Sequence, residues 1–211
     1  MISIELLEMS GIGSAIKGMR NPMNSWEKSD SYYIWPDDTE FHIGPNDHDL
    51  MMKLRNAGTD HRKFMRMIVV YADITAPLYW WKEFDTYKVG TVANSCSTMH
   101  KIADKEFTLD DFSVEHLTEG NRQGFEQCVL SALNTARENF LETKDKLWWW
   151  QMIQELPSSY NQKRTIMLNY EVLVNMYGSR KNHKLDEWRD FCEWVETLPH
   201  SELITGGIKN E

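Results

Sequence analysis

The sequence of 211 residues lacks the features that mark secreted, membrane-spanning and nucleic-acid-binding proteins. Its three cysteines, Cys96, Cys128 and Cys192, are too few and too widely spaced for a disulfide framework, so we expect a reducing, cytoplasmic setting. No apolar run approaches the roughly 20 residues that cross a bilayer, so we expect no membrane span. The opening segment MISIELLEMS has no basic residues, and we therefore expect no signal peptide.

The net charge of −9 means that the chain lacks the basic excess that general nucleic-acid binding requires. We therefore expect no nucleic-acid partner, although a few local cations are enough to hold a small nucleotide. His42 and His48 lie near Asp47 and Asp49, but their spacing matches no established metal site, so we predict a polar loop and no metal. Repeats and low-complexity linkers are also missing, which favours one α+β domain over residues 1–211.

Hydrophobic patterning predicts the order of the elements. We predict strands at 2–8 and 65–74, the second of them buried and central. The predicted helices lie at 11–20, 47–57, 121–150, 161–178 and 185–197, with one more beginning at Pro77. Residues 21–48, rich in Pro, Asn, Asp and Ser, are predicted as a long loop, and 203–211 as a loose tail.

The most informative segment begins at Leu156-Pro157 and ends at Arg180. Asn169 and Asn175 are six residues apart, and Arg180 follows five residues later. On a single helix, these three side chains are expected on roughly one side. Amides read base or ribose edges and arginine forks onto phosphate, so this set suits a nucleotide. From the spacing alone, a solvated helix face is the favoured interpretation.

This spacing resembles the C-terminal signature of the flavin-dependent thymidylate synthases, in which a Leu-Pro is followed at the same offsets by two asparagines and an arginine. In that family the asparagines face the flavin and the arginine holds the phosphate of deoxyuridylate. The resemblance implies a central, mostly antiparallel sheet flanked by long helices. It also implies a homo-oligomer, expected to be a tetramer, with sites shared between subunits.

A second part of the family pattern resembles residues 82–100. The family has a histidine before its central strand, then an Ala-Pro, then a flavin motif that begins with Arg-His-Arg. Here His61 precedes the predicted strand, Ala76-Pro77 follows it, and Lys88 aligns with the third member of that triplet. The resemblance implies that the nucleotide-binding residues are Lys88, Asn94, Ser95, Ser97, Asn169, Asn175 and Arg180, with His61, His100 and Tyr87 as further contacts.

The sequence departs from the family at charged positions. The family's first Arg and the His are replaced by Thr86 and Tyr87, its Glu by Ser95, its Tyr by His100, and three further Arg by Met99, Ile153 and Glu171. The last three changes remove three cations and add one anion. A charge-assisted hydrogen bond is worth roughly 1.5–3 kcal/mol, so these losses argue against FAD and leave the cofactor undetermined.

Two hypotheses of function follow. In the first, the protein binds and sequesters a phosphorylated nucleotide at an intersubunit site without the parent chemistry, as a viral protein that captures a nucleotide signal would. In the second, it is an active synthase that methylates deoxyuridylate with FAD, NADPH and methylenetetrahydrofolate. The polar run 94–98 is predicted to bind phosphate or base in either case, and a plain turn is its other interpretation. No catalytic residue is assigned.

Overall fold

The structure is a computed structural model that describes residues 2–34 and 41–207. Its strands are β1 (Ser3–Ser10), β2 (Tyr32–Tyr33), β3 (Phe41–His42), β4 (Val69–Pro77), β5 (Thr91–Ser95) and β6 (Asn161–Asn169). Four of them form a mostly antiparallel sheet with the order β1-β4-β6-β5, and β2 pairs with β3 in a separate antiparallel ribbon. The predicted α+β class is confirmed.

The described residues form ten α-helices, and the first three of them begin close to the predicted positions. They are α1 (Ile12–Arg20), α2 (Pro45–Asn56), α3 (Leu78–Phe84), α4 (Thr98–Lys101), α5 (Glu119–Gly124), α6 (Ser131–Thr143), α7 (Lys146–Glu155), α8 (Tyr170–Arg180), α9 (Asp186–Glu196) and α10 (Glu202–Thr205). Proline sets two of the starts, because Pro45 is the first residue of α2 and Pro77 precedes α3. The predicted helices at 11–20, 47–57 and 185–197 are confirmed.

The described residues form two compact units. Unit one contains residues 2–3, Ile74–Thr86 and Ala93–Thr165, and unit two contains residues 4–34, 41–73, Tyr87–Val92 and 166–207. The single domain expected from the sequence remains a prediction. No helix in these ranges is long and apolar enough to span a membrane, and no three His, Cys, Asp or Glu side chains in them lie close enough together to hold a metal ion.

Unit one is built around an apolar cluster to which residues 102–114, α6 and α7 all contribute. Leu133 and Ala136 are buried on the predicted face of α6, and Phe125, Val129 and Phe140 pack against the same cluster. The single helix predicted over 121–150, however, is wrong. A π-helical segment (Phe125–Leu130) joins α5 to α6, and the chain reverses after α6 where Lys144 is left-handed with φ of 57°.

A polar cap starts the helix that follows this break. The Asp145 carboxylate accepts a hydrogen bond from the backbone N–H of Leu147 at 2.9 Å, which satisfies one of the free donors at the start of α7. Lys144 therefore ends α6 and Asp145 starts α7, a boundary that helical periodicity alone does not reveal.

The central strand begins and ends later in the chain than predicted. Residues Arg62–Met67 form a 3₁₀ helix, and β4 begins only at Val69. From there the alternate side chains Val70, Ala72, Ile74 and Ala76 are fully buried, as expected for a strand between two others. Its interior position between β1 and β6 agrees with the prediction of a central strand.

The predicted helix at 161–178 is wrong in its first half. Residues Asn161–Asn169 form β6, where Gln162, Ile166 and Leu168 are buried at a period of two, and α8 begins only afterwards. The sequence itself does not show an apolar alternation, because Gln162 and Arg164 are polar and Ile166, Met167 and Leu168 are consecutive apolar residues.

The segment 21–48 is more ordered than a long loop where it is described. It contains two short 3₁₀ turns, the β2–β3 ribbon and the start of α2, while residues 35–40 lie outside the described part. The predicted loose tail is also corrected: Leu203 and Ile204 lie buried in α10, and Arg55 donates to both of their carbonyls. Residues 208–211 lie outside the described part.

The buried carboxylate of Asp47 holds the 21–48 segment together. It pairs with Arg20 at 2.6 Å, and its other oxygen accepts from the hydroxyls of Ser29 and Ser31 at 2.7 Å each. The backbone N–H groups of Asp30 and Ser31 also donate to that oxygen, at 3.1 Å and 3.2 Å. These donors compensate the buried charge of Asp47. The segment predicted as a polar loop is thus organised around the Arg20–Asp47 ion pair.

We expect Asp47→Asn to destabilise the protein by about 3–5 kcal/mol at neutral pH, because it leaves the Arg20 cation buried without a counter-charge. Burial raises the pKa of the Asp47 carboxyl, but hydrogen bonds from Ser29, Ser31 and Arg20 outweigh burial and lower the pKa overall. The stability due to this carboxylate is therefore complete above the unfolded pKa of about 3.9 and is lost as pH falls through the lower folded value.

Chemical denaturation at neutral pH and below about pH 3 measures this effect. Asp49→Asn, an exposed position on the same helix, is the control and should change stability by less than about 0.5 kcal/mol. An Asp47→Asn difference that is small at neutral pH, or that grows in acid, would contradict the assignment.

Candidate functional site

The helix α8 carries the three residues of the C-terminal signature, but they do not share one side. Asn169 precedes α8 as its N-cap, Asn175 lies in the middle and Arg180 is the last residue. At about 100° per residue, six residues turn the helix by about 240°, so Asn175 projects away from the side that Asn169 and Arg180 share. The expectation of one face for all three residues is corrected in this respect.

Arg180 is held between two aromatic rings of unit two. Its Nε donates to the Tyr87 hydroxyl at 2.9 Å. Its guanidinium carbon lies 4.7 Å from the centroid of the Trp188 ring and 5.6 Å from that of Tyr87. Trp188, on α9, is fully buried and was not predicted from the sequence. Stacking on aromatic faces orients a guanidinium and removes part of its conformational freedom.

Asn169 is fixed by the start of α8. Its Oδ1 accepts a hydrogen bond from the backbone N–H of Val172 at 2.9 Å, which leaves its NH₂ group facing away from the helix. Gly90 lies against this group: a Cβ atom built there would lie 2.2 Å from Nδ2 of Asn169, and the φ of Gly90 is +79°. Only glycine meets both conditions without strain.

The segment Tyr87–Val92 therefore joins the two ends of α8. It contacts Arg180 through Tyr87 and Asn169 through Gly90, and Lys88 lies exposed between these contacts. The structure thus brings four of the predicted residues, Tyr87, Lys88, Asn169 and Arg180, to one surface of unit two. We call these four residues the α8 surface.

Asn175 belongs to a neighbouring charged cluster of unit two. Its Oδ1 accepts from Nη2 of Arg62 at 3.0 Å. One turn earlier on α8, the buried carboxylate of Glu171 accepts from Arg66 and lies 4.0 Å from Nε of Arg62. Glu171, the anion that replaces a family arginine, is thus neutralised by two arginines of the 3₁₀ helix. The exposed His61 immediately precedes that helix.

The remaining predicted residues lie in unit one, around the end of β5. Asn94 and Ser95 are exposed, and the Ser97 hydroxyl caps α4 by accepting from the backbone N–H of His100 at 3.1 Å. Backbone bonds fix this turn: Cys96 donates its N–H to the Lys163 carbonyl at 2.9 Å and accepts from the Gln162 amide at 3.0 Å.

A cavity of about 380 Å³ opens beside this turn. It is lined by both cations and carboxylates, including Lys101, Lys105, Asp104 and Asp111. Lys101 pairs with Asp104 at 2.9 Å, and Lys105 pairs with Asp111. Lys101 and Lys105 are therefore already engaged in ion pairs before any anionic ligand enters the cavity.

The residues present do not fit a flavin dinucleotide. Ile153, which replaces a family arginine, packs against the apolar cluster of unit one, and Met99 is 49% exposed with its carbonyl accepting from Trp149. Glu171 is an anion already matched by Arg62 and Arg66. None of these three positions supplies a donor for the phosphates of FAD, and we derive no step through this cofactor.

The chain has the fold of the flavin-dependent thymidylate synthases. It is similar to ThyX from Helicobacter pylori complexed with FAD and dUMP, with a TM-score of 0.70, 17% identity, and coverage of 98% of this chain and 100% of that chain. A second structure of that enzyme with FAD and dUMP gives a TM-score of 0.68 and 16% identity, with 96% of both chains covered.

The UMP/dUMP methylase PolB from Streptomyces cacaoi, bound with 5-Br dUMP, is also similar, with a TM-score of 0.62 and 14% identity over 98% of this chain and 95% of that chain. No protein-family model and no curated protein matches the chain. The thymidylate-synthase-like fold expected from the sequence is therefore confirmed.

We expect Gly90→Ala to displace the Asn169 amide and to destabilise the protein by about 2 kcal/mol or more, since it combines a positive φ with a steric clash. Gly58→Ala is the matched control. Gly58 has φ of +108°, but no atom outside its chain neighbours lies within 4 Å of a Cβ built there, so only the backbone cost of about 1–2 kcal/mol applies. Equal losses of stability in thermal unfolding would contradict the contact with Asn169.

Proposed function

We propose that this protein binds and sequesters a phosphorylated nucleotide, and that it does not carry out thymidylate synthesis. Arg180 supplies the phosphate contact, with Lys88 as a second cation. Asn169 and Asn175 read polar atoms of the ligand, and Asn94, Ser95 and Ser97 complete the site from a neighbouring subunit. Tyr87 orients Arg180, and His61 and His100 are peripheral contacts.

The observation that carries this proposal is the preorganised guanidinium on the α8 surface. Arg180 is stacked on Trp188 and bonded to Tyr87 before any ligand arrives. A planar guanidinium presents parallel N–H donors that match phosphate oxygens. Because its conformational freedom is already reduced, less entropy is lost when a phosphate binds. The neighbouring Lys88 adds an exposed positive charge.

The replaced residues favour binding over catalysis. The fold neighbours from Helicobacter pylori hold FAD and dUMP, and that from Streptomyces cacaoi holds 5-Br dUMP. In this chain Met99, Ile153 and Glu171 remove cations from the positions where the family pattern has arginine. A site that keeps a phosphate-binding arginine but loses flavin contacts is suited to hold a nucleotide rather than to methylate it.

An oligomeric site is part of this proposal. Leu141, Leu147 and Trp150 are 41%, 55% and 43% exposed on α6 and α7. Exposed apolar side chains on neighbouring helices are typical of subunit interfaces. They support an interface between subunits. The assembly that we propose is a homotetramer in which the polar turn of one subunit faces the α8 surface of another.

The alternative function is an active synthase that uses FAD, NADPH and methylenetetrahydrofolate. Its support is the extent of the fold likeness, which covers the whole of one ThyX chain. The engaged Glu171 and the packed Ile153 oppose it, because neither side chain is able to donate to a flavin phosphate.

We expect Arg180→Gln to weaken the binding of dUMP, UMP or a cyclic nucleotide by about tenfold or more, because a charge-assisted bond to phosphate is worth roughly 1.5–3 kcal/mol. Isothermal titration of the purified protein measures this. Arg189→Gln, which removes an exposed arginine paired with Asp186 on α9, is the control for net charge and should bind as the wild type does.

Size-exclusion chromatography checks that both variants keep the assembly of the wild type. Equal affinities of the two variants would remove Arg180 from the site. If the wild type binds none of these nucleotides, nucleotide capture is rejected as the function.

A further inference from the structure

The side-chain amide of asparagine has two different ends, and which end meets a ligand decides what the ligand must offer. The oxygen accepts hydrogen bonds, and the NH₂ group donates them. Asn175 is exposed on α8 and in isolation would be free to turn either end outward. Its neighbours in unit two remove that freedom.

Arg62 determines the orientation of Asn175. Its Nη2 lies 3.0 Å from Oδ1 of Asn175, and a guanidinium is only a donor, so the amide oxygen must face Arg62. The NH₂ group of Asn175 is consequently directed away from Arg62. Reversing the amide would bring two sets of N–H donors together and forfeit the hydrogen bond.

Arg62 is itself held in place. Its side chain is 16% exposed, and its Nε lies 4.0 Å from Oε1 of Glu171. That Nε atom is buried and has no hydrogen-bond partner among the described residues, so the charge of Glu171 is its compensation. Arg66 donates to the same carboxylate, but its side chain is 57% exposed and no hydrogen bond joins it to Asn175 in the described part of the chain.

Asn169 has the same polarity for a different reason. Its oxygen is taken by the N–H of Val172 at the start of α8, so its NH₂ group is the remaining end, which is buried against Gly90. In both asparagines of the signature the amide oxygen is therefore engaged, and Asn175 is the exposed one of the two.

We propose that Arg62, held by Glu171, is a positioning residue that fixes the donor polarity of Asn175 and thereby selects ligands that present acceptor oxygens, such as base carbonyls or phosphate, at that point. The inference rests on the proposed function, because it takes Asn175 as a ligand contact. It gives Glu171 a definite role: the anion that replaces a family arginine anchors a cation which orients an amide.

The test compares dUMP affinity in Arg62→Met and Arg66→Met. Each variant removes one arginine from Glu171 and leaves the other. Arg66→Met removes the closer contact, which has two hydrogen bonds to the carboxylate, whereas Nε of Arg62 lies 4.0 Å from it. We expect Arg62→Met to weaken dUMP binding by about fivefold to tenfold, as loss of one well-oriented hydrogen bond does, and Arg66→Met to leave it within about twofold. Arg62→Lys, which restores a donor, should recover part of the loss.

A double-mutant cycle separates positioning from general damage. If Arg62 acts through Asn175, then Arg62→Met should cause no further loss of dUMP affinity in an Asn175→Ala background. A ligand-free measurement accompanies it: the NMR signal of the Asn175 side-chain amide, assigned by its absence in Asn175→Ala, should shift in Arg62→Met and not in Arg66→Met. Thermal unfolding confirms that each variant is folded.

Equal effects of Arg62→Met and Arg66→Met, or fully additive losses in the cycle, would overturn the positioning role while leaving nucleotide binding intact. An unchanged Asn175 amide signal in Arg62→Met would overturn it without any ligand. Absence of dUMP binding by the wild type together with an unshifted amide signal would reject both the proposed function for this ligand and the inference built on it.

Discussion

The hydrogen bond from the N–H of Val172 to the side chain of Asn169 is the constraint on which the rest of the candidate site depends. It ends β6 and starts α8, and so sets where Asn175 and Arg180 project. It also turns the NH₂ group of Asn169 toward Gly90, where a residue without a Cβ is required. This N-cap hydrogen bond, worth about 1 kcal/mol, thereby fixes the start of α8 and the orientation of the Asn169 amide toward the segment that contains Gly90.

Two buried carboxylates of this chain are balanced by partners close to them. Asp47 is matched by Arg20 and two serines, and Glu171 by Arg62 and Arg66. A buried charge must have such partners, since its desolvation costs several kcal/mol. Of the three residues that stand where the family pattern has arginine, Glu171 is accompanied by local ion pairs, with Arg62 and Arg66.

The sequence predicted much of this organisation, and its failures have physical causes. The apolar faces of α1 and α6 and the central strand are readable from periodicity because burial imposes it. The break at Lys144-Asp145 and the β6–α8 junction were missed because each depends on one residue's backbone or cap within a pattern that otherwise continues. Asn169 and Arg180 were found through spacing, whereas Trp188 and Arg62 contact the site through tertiary structure and carry no local signal.

The proposal that nucleotide binding has been retained while flavin chemistry has been lost is tested most directly by what the purified protein carries. Its visible absorbance spectrum, followed by mass spectrometry of the small molecules released on heating, gives the answer. We expect no flavin band and the release of a phosphorylated nucleotide. A flavin band at one flavin per chain would contradict the proposal and make the active synthase the favoured function.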